Sequence, residues 1–186
     1  MKKFDRFLQK YRIWKASPYI LPGMSVLDIG CHDGTLFREL GERISHGVGI
    51  DPLEPSSWVD DRFLRIVGSF PDDVPELGEF DVITMLAVLE HFPDDKIETL
   101  PCHIARFLKP GGLLVITIPS PRVNDILALL KWMRVIEGMS LEEHHGLTVD
   151  TVLTVFSQYF ELKVRKSFQF GLNNLLVYQK RDIHTY

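Results

Sequence analysis

Cysteine is scarce in this chain: Cys31 and Cys102 are the only two in 186 residues. Neither sits in a paired metal-ligand spacing, so a disulfide scaffold and a zinc module are both disfavoured, and a reducing, cytoplasmic setting is expected. Positive charge is not in excess either. Lys and Arg number 21 against 25 Asp and Glu, a net charge of −4, which argues against a surface built to neutralise the phosphates of a nucleic acid. No apolar run reaches the roughly 18 to 20 residues that span a bilayer, and the N-terminus lacks the continuous apolar stretch of a signal peptide. The sequence therefore reads as soluble and unexported. Internal repeats, low-complexity tracts and flexible linkers are missing too, so residues 1–186, 45% hydrophobic, are expected to form one domain with a sizeable core.

What charge there is lies unevenly. Residues 1–15 carry Lys2, Lys3, Arg6, Lys10, Arg12 and Lys15 against Asp5 alone, so that segment is +5 and the remainder −9. Phe4, Phe7, Leu8, Tyr11 and Trp14 recur there at helical spacing, which predicts an amphipathic helix within residues 1–20 that lies on the domain by this apolar face.

From Met24 onward short apolar runs alternate with helical patterns. MSVLDIG (24–30), GVGIDP (47–52), FLRIV (63–67), the start of FDVITMLAVLEHF (80–92) and GLLVITIP (112–119) read as strands. TLFRELGER (35–43) and a segment opened by Pro93, Asp94 and Asp95 read as helices. Strands without strict polar alternation, separated by helices, predict a doubly wound, mostly parallel α/β sheet covered on both faces. The runs 160–170 and 173–181 stand too close for a helical crossover and predict a C-terminal antiparallel hairpin.

In such a sheet the ligand crevice lies beyond the carboxyl ends of the strands. The first strand runs there into Asp28-Ile29-Gly30-Cys31-His32-Asp33-Gly34. About twenty residues on, Asp51 ends the second strand, where a carboxylate can accept both hydroxyls of a ribose. A dinucleotide fingerprint needs glycine where His32 stands, and a phosphate loop needs a lysine before Thr35 that is not there. A nucleoside without a pyrophosphate is favoured. The acidic Asp28 suits a cofactor with an ammonium and a sulfonium charge, which describes S-adenosylmethionine.

From about residue 24 to the C-terminus the chain resembles the class I S-adenosylmethionine-dependent methyltransferases. VLDIGCHDG is similar to their glycine-rich first motif, GIDP carries the acid after the second strand, FDVITMLAVLEHF resembles the fourth-strand motif, and LKPGGLLVITIP the approach to the fifth. The family's usual Gly-Cys-Gly reads Gly30-Cys31-His32 here. The resemblance implies a seven-stranded Rossmann-like sheet with a seventh strand inserted antiparallel at its edge. It also implies that Asp28, Gly30, Cys31 and Gly34 form the loop around the methionine end of the cofactor, that Asp51 binds the ribose, and that Pro52 flanks the adenine. Ser69 and Phe70 match the place where the adenine edge is read, and Leu86 and Ala87 the place where backbone carbonyls face the amino group and methyl.

Candidates for acid or base work are His91, in LEHF, and His144 and His145, in EEHHGLT, which resembles a His-x-x-Thr stretch at the substrate mouth. A metal site built from Glu142, Glu143, His144 and His145 is disfavoured, because adjacent ligands on one turn rarely converge. Cys31 lacks the partner motif of a nucleophile. Residues 120–147 form the largest insertion and include the apolar VNDILALLKWMRVIEGM. Its surplus apolar surface must meet the N-terminal helix, a second subunit of a homodimer, or a hydrophobic substrate, and a peripheral membrane location aided by the +5 segment is a further reading. The expected function is methyl transfer to a small-molecule or lipid-like acceptor. The alternative is a catalytically silent S-adenosylmethionine-binding partner or sensor, and a dehydrogenase stands a distant third.

Overall fold

A computed structural model describes residues 3–53, 62–120 and 148–182. Seven strands form one sheet: β1 (Ser25–Ile29), β2 (His46–Asp51), β3 (Phe63–Val67), β4 (Phe80–Leu86), β5 (Leu108–Pro119), β6 (Phe160–Phe168) and β7 (Asn173–Lys180). Their order across the sheet is β3-β2-β1-β4-β5-β7-β6. The first five are parallel where they pair, and β7 runs antiparallel to both β5 and β6. The expected hairpin is present, and β7, its second arm, inserts beside β5 so that β6 becomes the edge. That exposed edge carries Glu161, Lys163, Arg165 and Lys166, charges that blunt edge-to-edge pairing.

Successive residues of each central strand feed opposite cores, as the near-continuous apolar runs require. Val26, Val82, Val115 and Val177 join one cluster with Ile13 and Ala16 of α1 (Lys3–Ala16) and Leu36 and Phe37 of α2 (Thr35–Leu40). Leu27, Ile83, Ile116 and Leu176 join the other, against α3 (Asp94–Ile97), α4 (Leu100–Arg106) and α5 (Val149–Phe156). The helix expected after Pro93 is in fact two short pieces, because Pro101 falls in the first turn of α4, where its missing N–H costs nothing. β5 begins four residues earlier than its apolar run suggests, taking in Lys109, Pro110 and Gly111.

The largest departure concerns α1. The helix is where its periodicity predicts, but of the stripe that periodicity selected Tyr11 packs on the core while Phe7 and Trp14 do not. Phe7 and Trp14 are 62% and 61% exposed, whereas Ile13 and Ala16 are buried, and Gln9 and Arg12 face inward with Ile13. Burying the 7-11-14 stripe would have turned Arg12 and Gln9 away from the acidic groups under the helix, Asp33 and Glu90.

At the amino end of the sheet Asp81 ties three strands together. Its carboxylate accepts from the Ser25 N–H and Oγ at 2.8 and 2.7 Å and from Lys109 Nζ at 2.8 Å. Partial burial alone would raise this carboxyl, but the Lys109 and Ser25 donors outweigh it and hold it at about 2. A depressed carboxyl stabilises the fold above its unfolded value near 3.8, and that contribution is lost as pH falls toward about 2. Asp81→Asn is expected to cost about 2–3 kcal/mol at neutral pH and much less below pH 3, as read from urea midpoints. An equal loss at both pH values would show that the charge is not the source.

Candidate functional site

The strand order reverses between β1 and β4, so the carboxyl ends of these two strands open the crevice in which ligands of such sheets bind. The local backbone is unusual here. His32, after β1, has φ +46° and Ala87, after β4, has φ +60°, left-handed conformations that cost L residues about 1–2 kcal/mol. The other two non-glycine residues of this kind among the described residues, Gln169 and Phe170, turn the β6–β7 hairpin. The His32 conformation is the one glycine adopts freely, which accounts for a loop with the expected shape despite its departure from Gly-Cys-Gly. Gly30 is demanded by packing: a Cβ there would lie 2.3 Å from Val88 Cγ2, so Val88 closes over the loop from the β4 side.

Asp51 ends β2 and is 7% exposed. Its Oδ2 accepts the His32 N–H at 2.9 Å and its Oδ1 the Leu53 N–H at 2.8 Å. The carboxylate is thereby fixed between the loops that follow β1 and β2, with lone pairs left for further donors. Arg65 on β3 locks the same two loops from below. Its Nη1 donates to the His32 carbonyl at 2.7 Å and to Cys31 Sγ at 3.2 Å, and its Nη2 donates to the Leu53 carbonyl.

Between α1 and the ends of β1 and β4 lies a cavity of about 40 Å³ lined by Gln9, Arg12, Ile13, Asp28, Cys31, Leu36 and Leu86. Asp28 is buried, and its Oδ1 accepts a 2.6 Å hydrogen bond from the Thr84 hydroxyl of β4. Burial pushes its carboxyl up to about 7, against the lowering pull of Thr84 and with a smaller push from Asp51. Glu90, in the short helical turn Leu89–His91, is likewise nearly buried and raised to about 7 by burial, with the Arg12 guanidinium acting the other way. Cys31 is buried beside Asp28, and burial raises its thiol well above the ordinary range. A neutral thiol in that place is no nucleophile.

A cavity that holds a buried carboxyl and a guanidinium complements the two ends of an α-amino acid: an ammonium for Asp28, a carboxylate for Arg12. Its volume is room for that group and not for a nucleoside.

The structure brings Asp28, Cys31 and Leu86 together in one cavity. It sets Gly30, Gly34, Asp51 and Ala87 in the loops around it, and Pro52 is exposed just beyond Asp51. Ser69 donates its N–H to Asp73 at 2.8 Å. Phe70 is buried against Phe107, so its ring belongs to the core. His91 is exposed. His144, His145 and residues 121–147 of the insertion lie outside the described residues. Arg12, Arg65, Thr84 and Glu90 went unnoticed in the sequence. Only Glu90 had a local signal, standing between Leu89 and His91 in the motif read for its histidine.

A family model described as a methyltransferase domain matches residues 3–158. The chain belongs to this family. It is 36% identical over 104 residues to the ubiquinone biosynthesis O-methyltransferase of Pseudomonas aeruginosa, covering 50% of this chain and 43% of that protein. It is 28% identical over 185 residues to the mitochondrial ubiquinone biosynthesis O-methyltransferase of Homo sapiens, covering 81% and 50%. The chain thus spans about half the length of these curated relatives. Among solved structures, the 1,6-didemethyltoxoflavin-N1-methyltransferase of Burkholderia thailandensis, with bound 1,6-didemethyltoxoflavin and S-adenosylhomocysteine, superposes with a TM-score of 0.72 at 16% identity, over 96% of this chain and 82% of that one. That likeness establishes the class I fold of this methyltransferase-domain protein.

Proposed function

We propose that this methyltransferase-domain protein transfers a methyl group from S-adenosylmethionine to a small or lipid-like acceptor, with oxygen as the acceptor atom that the relatives' names suggest. The observation that carries the reading is the cavity at the strand switch point, which Asp28 and Arg12 both line, with Asp51 near enough to act on the Asp28 carboxyl. When bound, the cofactor supplies a methyl group activated by its sulfonium.

The chain's own residues would do the rest. Asp28 holds the ammonium, Arg12 the carboxylate, and Asp51 the ribose hydroxyls. The backbone at Ser69 and Phe70 reads the adenine edge, Pro52 flanks it, and the carbonyls of Leu86 and Ala87 face the reacting end. Residues 120–147 would cover the acceptor, and alignment with exclusion of water would supply most of the rate. The two cysteines are unpaired, in keeping with a reducing compartment such as the cytoplasm.

S-adenosylhomocysteine at a hundred times its Kd should stabilise the protein by about 2.7 kcal/mol, a rise in Tm of roughly 5–10 °C. Asp51→Ala should weaken its binding about ten- to hundredfold through loss of a charged acceptor. A titration to saturating cofactor without a shift in Tm would refute the reading. Binding without turnover across a panel of hydroxylated acceptors would instead select the silent sensor.

A further inference from the structure

α1 presents two different faces. Gln9, Arg12 and Ile13 cover the cavity, while Phe7 and Trp14 are exposed and Tyr11 between them packs against the core. Phe7 stacks on Tyr11 with centroids 6.2 Å apart, and Tyr11 meets Trp14 at 5.5 Å. Lys15 Nζ lies 4.7 Å from the centroid of the Trp14 ring. Tyr11 also touches Phe168 at the end of β6, at 5.8 Å. Two residues beyond, at the turn of the hairpin, Phe170 is fully exposed. The exposed rings of the helix and of the hairpin tip are thus joined through the contact of half-buried Tyr11 with buried Phe168. At the margin of this patch Lys166 lies 5.9 Å from the centroid of the Tyr19 ring and donates to its hydroxyl at 3.2 Å.

Aromatic rings with ammonium groups beside them, on a helix that also carries exposed Arg6, call for a partner both anionic and able to take up apolar rings. Duplex nucleic acid meets only the first requirement. A second copy of this patch in a two-fold dimer would bring a surface with the same basic groups and no anionic partner for them. A lipid surface with anionic headgroups meets both, since Trp and Tyr settle at headgroup depth and Lys and Arg neutralise the phosphates. We propose that the outer face of α1, together with the tip of the β6–β7 hairpin, docks on an anionic bilayer. Docking there sets the cavity directly under the docked helix; its use for receiving an apolar acceptor rests on the methyltransferase reading, whereas docking itself does not.

The test is flotation of the full chain with phosphatidylcholine vesicles, with and without one-third phosphatidylglycerol. The chain should float with the anionic vesicles only and be released by salt. Arg6→Glu and Lys15→Glu should each weaken binding about fivefold or more, and the double variant Phe7→Ser, Trp14→Ser at least about tenfold. Arg6, Phe7 and Trp14 are exposed and Lys15 half-buried, and none of them lines the cavity, so each variant should stay folded and keep its shift in melting temperature with S-adenosylhomocysteine. That separate readout distinguishes failure of docking from failure of the cofactor reading. Absence of flotation, equal binding to neutral vesicles, or indifference to all of these substitutions overturns the proposal. So does a dimer that Trp14→Ser dissolves, which would give the patch to a second copy.

Discussion

His145→Ala is expected to lower turnover about 10²–10⁴-fold while leaving the Kd for S-adenosylhomocysteine essentially unchanged, the loss typical of a missing general base. The residue stands near the end of the insertion that would cover the acceptor, after its apolar stretch, and Thr148 three positions on caps α5, its side chain accepting from the Thr151 N–H at 3.1 Å. That cap anchors the end of the EEHHGLT stretch to a rigid element. His144→Ala and His91→Ala are the comparison, and exposed His91 should show the smallest effect. Glu90 sharpens the experiment. It is a buried carboxyl at about 7 whose charge acts on Arg12, so Glu90→Gln should weaken cofactor binding through Arg12 and leave turnover at saturating cofactor near normal. The opposite pattern, intact Kd with collapsed turnover, would make Glu90 the base. Normal turnover in all three histidine variants would end histidine catalysis and leave transfer to alignment alone.

Much of this frame was legible because it rests on local patterns. Apolar runs ending at Gly30 and Asp51 marked β1 and β2, and the closeness of residues 160–170 to 173–181 marked the hairpin. The place of Asp51 at a strand end was legible because it follows from the alternation itself. What was hidden depends on contacts distant in sequence. Arg65 reaches Cys31 and His32 from 34 and 33 residues away, and no local pattern separates it from an ordinary solvated strand arginine. The insertion of β7 between β5 and β6 is set by pairing across the sheet, from Leu113 with Gln179 to Pro119 with Asn173, which spacing cannot reveal. α1 misled for a physical reason: its aromatic stripe outweighs Gln9, Arg12, Ile13 and Ala16 in apolar area, yet buried carboxyls beneath the helix select the face that brings a cation.

Affinity for S-adenosylmethionine is expected to fall about tenfold between pH 8 and pH 6, because binding an ammonium requires an ionised Asp28 whose free-state pKa is about 7. The sign follows from the shift. A carboxyl raised by burial favours the ligand-free fold in its neutral form, so its contribution to stability is full below the unfolded value near 3.8 and is lost as pH rises through about 7. The bound state favours the opposite form. Cofactor uptake below neutrality should therefore release a proton, measurable as a buffer-dependent enthalpy in calorimetry. Asp28→Asn keeps the Thr84 contact and the shape but removes the charge, and should weaken binding at pH 8 by about 1.5–3 kcal/mol, roughly ten- to hundredfold. The same variant should flatten the pH profile. Glu90 titrates in the same range and acts through Arg12, so Glu90→Gln is the control: a slope that survives Asp28→Asn but vanishes in Glu90→Gln would move the linkage to the carboxylate end of the cofactor. A wild-type Kd constant from pH 6 to pH 8 would mean that Asp28 is ionised before the ligand arrives, and with it the case for a buried acid awaiting a cation would fail.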